Sequence, residues 1–505
     1  MSGAGVSVRR LPALLAGCAP AAVIPDCEVT ALTEDSRQAG TGAVFFARKG
    51  VRVDGARFIS DALEAGASAV VMTTGTKLSP SDDATRCVAV KDVSYCFGVA
   101  SDRFFGSPSA ACKVVGVTGT NGKTSIAYSA AQLLDDEDGT AACFVLGTLG
   151  AGRPGALTDG ELTTPSAGSV HRQLRSFVDQ GAAYTVMEVS SHALDQQRVA
   201  GVCFDVAVFS NLTRDHLDYH RTLEAYGEAK RKLFAMPGLR TAVVNIDDPF
   251  GREIVESLPN EMSVLTFGAA HSNSQFRHLH ADDASFDATG LSMSIALSGD
   301  VLGRVDAPLL GAFNASNLLA SVGVALALDV PFEAIQRRAR RMVPAPGRMQ
   351  RVSSGMGEEP AVVVDYAHTP DALSNALRSL RSVEPHRTLW CVFGCGGDRD
   401  QGKRFEMGQI AEQLADRVVV TSDNPRSESP RQIIDDILAG LRQHANVVIE
   451  EDRRLAIAST VRQAANDDIV LIAGKGHEQY QEVAGVRYPM VDQVIALGAL
   501  QERHA

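Results

Sequence analysis

The segment that most restricts the fold is Gly116-Val-Thr-Gly-Thr-Asn-Gly-Lys-Thr124. It overlaps the short β-type run Val114-Val-Gly-Val117 and leads into a helical stretch starting near Ser125. A strand that ends in a glycine-rich turn and passes directly into a helix belongs to a parallel α/β unit, because parallel strands need a crossover and the helix supplies it. Glycines let such a turn aim backbone N–H groups at an anion, and the helix N-terminus adds a favourable dipole. Lys123 would then neutralise the β- and γ-phosphates of a nucleotide, and the Thr124 hydroxyl would ligate its Mg2+. The spacing departs from the generic phosphate loop, which asks for glycine at position 117, where this chain has valine.

With 505 residues the chain has room for roughly three domains of ~150 residues. Apolar residues make up 45% and charged residues 21%, a globular composition rather than a disordered one. The net charge of −12 argues against nucleic acid as the main partner, since such proteins carry a basic stripe and a high pI. An anionic ligand must therefore be met by local cations, backbone N–H groups or metal ions. The nine cysteines are scattered and form no Cys-x-x-Cys, so small buried hydrophobes in a reducing compartment are expected, not disulfides or a zinc site. No apolar run is long enough to span a bilayer, and no membrane insertion is expected. Arg9-Arg10 ahead of Leu11-Pro-Ala-Leu-Leu-Ala-Gly-Cys18 mimics an export signal, with Leu15-Ala-Gly-Cys18 like a lipoprotein cleavage box. The apolar stretch is short and contains Pro12, so it reads as a surface helix, and a cytoplasmic location is expected, where ATP is supplied.

Composition divides the chain into residues 1–107, 108–346 and 347–505. In the first block, Ala43-Val-Phe-Phe-Ala47, Asp61-Ala-Leu-Glu-Ala-Gly-Ala67 and Ala69-Val-Val-Met72 read as strand, helix and strand. In the second, strands are expected at Tyr184–Met187, Val206–Phe209 and Ala242–Asn245, with an antiparallel extension around 262–306. In the third, Ala361–Val364, Leu389–Phe393, Arg417–Thr421 and Ile469–Ile472 alternate with helices in a doubly wound, Rossmann-like pattern. Gly106-Ser-Pro-Ser109 and Pro344-Ala-Pro-Gly347 punctuate the joins. The fold class is thus α/β in three domains: a small N-terminal unit, a central phosphate-loop parallel sheet and a C-terminal Rossmann-like domain.

Several motifs occur in order along the chain: Thr118-Gly-Thr-Asn-Gly-Lys-Thr124, Glu188-Val-Ser-Ser-His-Ala-Leu-Asp-Gln-Gln-Arg198, Asn211-Leu-Thr-Arg-Asp-His-Leu-Asp-Tyr219, Gly311-Ala-Phe-Asn-Ala-Ser-Asn317, Pro346-Gly-Arg348 and Asp365-Tyr-Ala-His-Thr-Pro-Asp371. Together they resemble the Mur ligase family, which also includes the folylpolyglutamate synthetases. The resemblance implies an ATP-dependent acid–amino-acid ligase of peptidoglycan synthesis. ATP phosphorylates a carboxylate to an acyl phosphate, an amine attacks it, and phosphate leaves. Both steps concentrate negative charge on oxygens, which calls for fixed cations and Mg2+ in a water-poor cleft. The implied ATP site comprises Gly119, Thr120, Asn121, Gly122, Lys123, Thr124 and Ser125, with Asn314 and Asn317 at adenine, Asp365 at ribose and Arg348 at phosphate. Glu188 would join Thr124 on one Mg2+, while His216 and a carbamylated Lys230 would hold a second. From residue type alone, Glu188 is equally an acid at a strand end, Lys230 a surface lysine, and Asn314 and Asn317 helix caps.

The N-terminal block, with Asp35-Ser-Arg37 and Asp54-Gly-Ala-Arg-Phe58, resembles the uridine-binding domain of the family's third amino-acid-adding members. That implies Ser36 near the uracil, and Thr163, Thr164, Ser190, Gln196 and Arg198 along a UDP-N-acetylmuramoyl dipeptide. A Thr-Thr pair alone reads as a strand end. Asp423-Asn-Pro-Arg426 resembles the signature of meso-diaminopimelate-adding members, with Arg399, Gly474 and Glu478 as further contacts. Diaminopimelate differs from lysine by a distal carboxylate that an arginine binds bidentately; lysine would leave that arginine desolvated and unpaired. A monomer is expected. Phe393-Gly-Cys-Gly-Gly-Asp fails as a dinucleotide fingerprint, because its third glycine would fall at Arg399. A folylpolyglutamate synthetase, a lysine-adding ligase and a nucleotide-hydrolysing switch remain as alternatives.

Overall fold

The computed structural model describes residues 9–50, 53–136, 141–160, 162–269, 276–287, 290–442 and 446–504. Three larger sheets organise them. The first is wholly parallel, with strands Ala31–Thr33, Ala43–Phe46, Ala69–Thr73 and Cys87–Val90 side by side. Because side chains alternate along a strand, Val44, Phe46 and Val71 enter one core while Phe45, Val70 and Met72 enter another on the opposite face. Leu11, Leu14 and Leu15 are buried in the first of these cores. The segment expected as a surface helix is therefore a plug, held by its leucine spacing.

The second sheet contains eleven described strands, parallel from Ala142–Gly147 across to Arg277–Asp287. Strand Lys113–Thr118 lies between Ala182–Glu188 and Val206–Phe209, so the chain leaves it first to one side and then to the other. Such a switch point opens a crevice beyond the carboxyl ends of the strands. Parity again sorts the side chains. Val115, Val117, Val186 and Val208 pack beneath helices Lys123–Leu134 and Phe313–Ala327, whereas Val114, Met187, Ala207 and Phe209 face helix Ala167–Asp179. The antiparallel extension begins later than the sequence suggested. Ser263–Phe267 is still parallel to Thr241–Asn245, and the antiparallel pairs are those joining Arg277–Asp287, Gly290–Leu297 and Asp300–Ala307; residues 270–275 and 288–289 of that stretch lie outside the described residues.

Gly116, mid-strand, is a packing glycine and not a phosphate ligand. A Cβ there would lie 2.8 Å from the Phe204 ring and 3.1 Å from Leu233. Gly116→Ala is expected to destabilise by ~1–3 kcal/mol through overpacking, read as a lower urea midpoint with an unchanged slope.

The third sheet runs Gln350–Val352, Ala361–Asp365, Ile469–Ala473, Leu389–Phe393, Arg417–Val420, Val447–Ile449, parallel except at its first edge. Helices Pro370–Val383, Gly402–Leu414 and Pro430–Leu438 cover one face, and Arg453–Gln463 and Asp492–Glu502 the other. Covering both faces explains why these strands read as continuous Val/Ile/Leu runs. Among the described residues no helix is long and apolar enough to cross a membrane.

Candidate active site

The loop 119–122 turns sharply between strand and helix. Gly119 and Gly122 have φ of +146° and +88°, and a Cβ on either would strike Ser210 Oγ at 1.9 Å or Asn317 Oδ1 at 2.5 Å. The helix begins at Lys123, two residues earlier than the sequence suggested, and half-buried Ser125 lies in its first turn. The loop is pinned from outside: the Thr120 N–H donates to the Asn211 carbonyl at 2.8 Å, the Asn121 N–H donates to Asn211 Oδ1 at 2.9 Å, and Asn121 Nδ2 donates to Asp371 Oδ2 at 2.9 Å. Lys123 Nζ donates to the Gly119 and Thr120 carbonyls at 2.9 and 2.8 Å.

Glu188 ends the neighbouring strand and is buried. Its carboxylate accepts from Thr124 Oγ1 at 2.8 Å, from the Thr148 N–H at 2.8 Å and from Thr148 Oγ1 at 3.2 Å. Arg348 reaches the same hydroxyl, with Nη2 3.1 Å from Thr124 Oγ1, while its guanidinium stacks 4.4 Å over the Tyr366 ring. Among the described residues no group of three or more His, Cys, Asp or Glu side chains is gathered as a metal site. A cluster of one carboxylate and two hydroxyls instead matches Mg2+, which binds through few protein oxygens and completes its shell with phosphates and water.

Lys230 is buried on helix Leu223–Arg231, and its Nζ donates to the Gly119 carbonyl at 2.7 Å, the acceptor it shares with Lys123. The surface-lysine reading fails. Burial, reinforced by the like charge of Lys123, pushes the Lys230 ammonium well below the usual lysine range against the pull of Asp215. His216 sits at φ +55°, with Nε2 3.4 Å from Asp215 Oδ2, and burial lowers its pKa. Asn314 and Asn317 do not cap their helix, whose first flanking residue is Ala312. Asn314 Nδ2 donates to the Leu310 carbonyl at 2.7 Å and Asn317 Nδ2 to Asn314 Oδ1 at 2.8 Å. Asp365 accepts from the Met349 N–H at 2.7 Å, anchoring the turn that carries Arg348.

Across the crevice, Thr163 and Thr164 lie in a turn rather than at a strand end. Thr163 Oγ1 lies 3.0 Å from Thr148 Oγ1, within hydrogen-bond distance; buried Thr164 donates to the Glu188 carbonyl at 2.9 Å and accepts from the Ser190 N–H at 3.0 Å. Arg198 donates to the Thr164 carbonyl at 2.9 Å and to Gln196 Oε1 at 2.8 Å. At the far end, Asn424 Nδ2 donates to Glu478 Oε2 at 2.7 Å, and Arg426 Nη1 donates to the Gly397 carbonyl at 2.8 Å.

One cavity of about 1010 Å3 is lined by Thr163, Thr164, Ser190, Arg198 and His216 on one side and Arg399, Asp423, Asn424, Arg426, Gly474 and Glu478 on the other. Gln196 instead lines a smaller cavity of about 120 Å3 with Glu34, Arg48 and Arg198. Ser36 lines neither; it opens the short helix Ser36–Gln38 beside Asp35. Pro425 is not a lining residue, but its carbonyl accepts from the Glu428 N–H at 3.0 Å and shapes the turn.

Family descriptions match most of this architecture: "Mur ligase family, catalytic domain" over residues 28–96, "Mur ligase middle domain" over 117–325 and "Mur ligase, glutamate ligase domain" over 347–476. The chain belongs to the Mur ligase family. Similar Mur ligases include the UDP-N-acetylmuramoyl-L-alanyl-D-glutamate--2,6-diaminopimelate ligases of Pseudomonas aeruginosa, 46% identical over 92% of this chain and 94% of that protein, and of Xanthomonas campestris pv. campestris, 45% identical over 95% and 96%. A solved structure of a ligase of that name superimposes with a TM-score of 0.69 at 36% identity, covering 95% of this chain and 96% of the other. The Mycobacterium tuberculosis folylpolyglutamate synthase shares the fold at 20% identity, with a TM-score of 0.61 over 75% of this chain and 91% of the other.

This Mur ligase site contains residues that sequence reasoning passed over. Thr148, just past strand Ala142–Gly147, binds Glu188 twice; its position beyond a parallel strand's carboxyl end was the available signal. Lys475 is fully buried inside Gly474-Lys-Gly-His-Glu478 and donates to Asn424 Oδ1 at 3.0 Å and Glu478 Oε2 at 2.7 Å. His368 and His477 also line the ligase cavity. Burial holds His368 down at about 4, with Lys403 and Arg348 adding to the effect and Asp215 and the Tyr366 carbonyl opposing it; burial likewise lowers His477 to about 3. An unfolded histidine takes up its proton near the ordinary 6.5 whereas these do not until far lower, so stability is expected to fall as pH drops from 6.5 toward 4. His368→Gln should flatten that fall, measured as melting temperature at pH 7 and pH 5.

Proposed function

We propose that the chain joins meso-diaminopimelate to UDP-N-acetylmuramoyl-L-alanyl-D-glutamate, using ATP to activate the glutamyl carboxylate as an acyl phosphate. The observation that carries this reading is the cavity of about 1010 Å3 that Thr163, Thr164 and Arg198 share with the arginines Arg399 and Arg426. Electrophile and amine can thus meet in one shared space. The blocks 1–107, 108–346 and 347–505 are proposed to bind the uridine substrate, ATP and the amino acid, with the reaction in the cytoplasm.

In this reading Lys123 and Arg348 accept the charge of the transferring phosphoryl group, and the N-terminus of helix Lys123–Leu134 adds its dipole. Thr124 and Glu188, 2.8 Å apart, would hold Mg2+ with ATP, and His216 with Lys230 a second ion. The metal would supply charge neutralisation at the phosphoryl oxygens. Arg198 and Thr163 orient the acceptor, while Asn424 and Glu478 receive the ammonium group of the incoming amino acid. The test is phosphate release from ATP by the purified chain. Sustained turnover should need both the UDP-dipeptide and diaminopimelate; release with neither present would favour a hydrolysing switch and sink the reading.

The depressed Lys230 amine also fits a carbamate. Held neutral, Nζ has a free lone pair to bond the carbon of CO2, losing a proton and becoming an oxygen-bearing anion suited to Mg2+. Turnover is expected to fall in CO2-depleted buffer and to return with bicarbonate; indifference to both would remove the carbamate.

A further inference from the structure

The two loops that carry Arg399 and Arg426 are joined by side chains that the chemistry above does not use. Arg404, on helix Gly402–Leu414, is fully buried. Its Nη2 donates to Glu428 Oε1 at 2.8 Å and reaches the Gly396 carbonyl at 3.4 Å, while Nη1 donates to Asp436 Oδ2 at 2.8 Å. Glu428 Oε1 also accepts from the Asp398 N–H at 2.6 Å, and the Glu428 N–H donates to the Pro425 carbonyl at 3.0 Å. Ser427 Oγ donates to Asp398 Oδ1 at 2.6 Å, and the Gly397 N–H donates to the Asn424 carbonyl at 2.9 Å. Glu428 is therefore a bridge between the loop of Arg399 and the loop of Arg426, and Arg404 is its buried counter-ion.

Both loops need such a bridge. Asp398 and Arg426 each have φ +53°, a left-handed conformation that costs a non-glycine residue energy and persists only where the surroundings over-determine it. The loops also touch so closely that a Cβ on Gly397 would lie 1.9 Å from the Pro425 carbonyl oxygen. A small slip between them would change the separation of the two guanidinium groups that line the cavity.

We propose that Arg404 and Glu428 are positioning residues that set the spacing of Arg399 and Arg426, and with it the preference for an amino acid carrying a distal carboxylate. This rests on the diaminopimelate reading above. Asp436 supplies the internal control, because it binds the other side of the same guanidinium and, among the contacts described, touches neither arginine-bearing loop.

The experiment compares the full-length wild type, Glu428→Ala, Glu428→Gln and Asp436→Ala in amino-acid-dependent phosphate release, with ATP and UDP-dipeptide saturating and either diaminopimelate or lysine varied. Glu428→Ala is expected to raise the KM for diaminopimelate about tenfold, the scale on which outer-sphere support acts. The KM for ATP and the turnover of lysine should stay near wild type, so the preference ratio falls with the KM. Glu428→Gln, which keeps an acceptor for the Asp398 N–H, should restore part of the loss, and it carries the test if the alanine variant does not fold. Asp436→Ala should lower the melting temperature without moving the ratio. An unchanged ratio in both Glu428 variants, or an equal loss in Asp436→Ala, would overturn the proposal. Wild type that never uses diaminopimelate would instead refute the functional reading, and this inference with it.

Discussion

Alanine in place of Lys123 is expected to lower ligation by about 10³-fold while the protein melts at or above the wild-type temperature. The ammonium group is half-buried at the first turn of helix Lys123–Leu134, where the helix dipole disfavours a cation, and it shares the Gly119 carbonyl with Lys230. Burial pushes its pKa down, against the pull of Glu188 and Asp215. The fold alone therefore disfavours this charge, and removing it relieves a cost borne in the nucleotide-free state. Bound phosphate would turn the same charge into a stabilising one, increasingly so as negative charge builds on the transferring group. Phosphate release and calorimetry on the variant check both halves. Retention of more than a tenth of the activity, or a clear drop in melting temperature, would contradict this account.

Arg426→Ala is expected to cut kcat/KM for diaminopimelate by about 10²–10³-fold, the equivalent of losing one partner of a buried charge pair. The KM for ATP should stay within about twofold, because the phosphate loop is built from a different part of the chain and mutations at distant sites act independently. Arg426 is well placed for selectivity. Its guanidinium is tied to the Gly397 carbonyl at 2.8 Å, its nearest carboxylate contact is Glu482 at 4.0 Å, and its backbone is bridged to the hairpin Tyr480–Pro489 through the Glu482 carbonyl and the Ala484 N–H. A second carboxylate on the substrate would provide a bidentate partner closer than any carboxylate among the described residues. Kinetics with diaminopimelate and lysine in parallel decide the matter: equal losses for both amino acids would mean that the arginine holds the loop and does not read the substrate.

Much of this site is legible in the amino-acid sequence. The strand-loop-helix passage at Lys113–Leu134 follows from β-branched residues meeting glycines, and the apolar runs at Ala361–Asp365, Leu389–Phe393 and Ile469–Ala473 state that both faces of their sheet are covered. The motif around Asp423–Arg426 announced a turn, and Asn-Pro could hardly have formed anything else. Residue type alone misleads where the surroundings come from the fold. Nothing near Lys230 in sequence says that it will be buried against Gly119, 111 residues away. Thr164, half of a pair that suggests a substrate contact, lines the cavity and also bolts the Glu188–Ser190 backbone, a second role that nothing beside it in the sequence announces.

The amino-acid order by itself determined which segments become strands and helices, which of their faces are apolar, and where glycine permits a phosphate-binding turn. These depend on interactions a few residues in range, and periodicity records them directly. Only the tertiary structure decided that Arg348 would reach Thr124 across 224 residues, that two lysines would share one carbonyl, and that Arg399 and Arg426 would face the same cavity as Thr163 and Arg198. Those placements come from contacts between segments far apart in the chain, and the side chains that meet there carry no local pattern that names their partner.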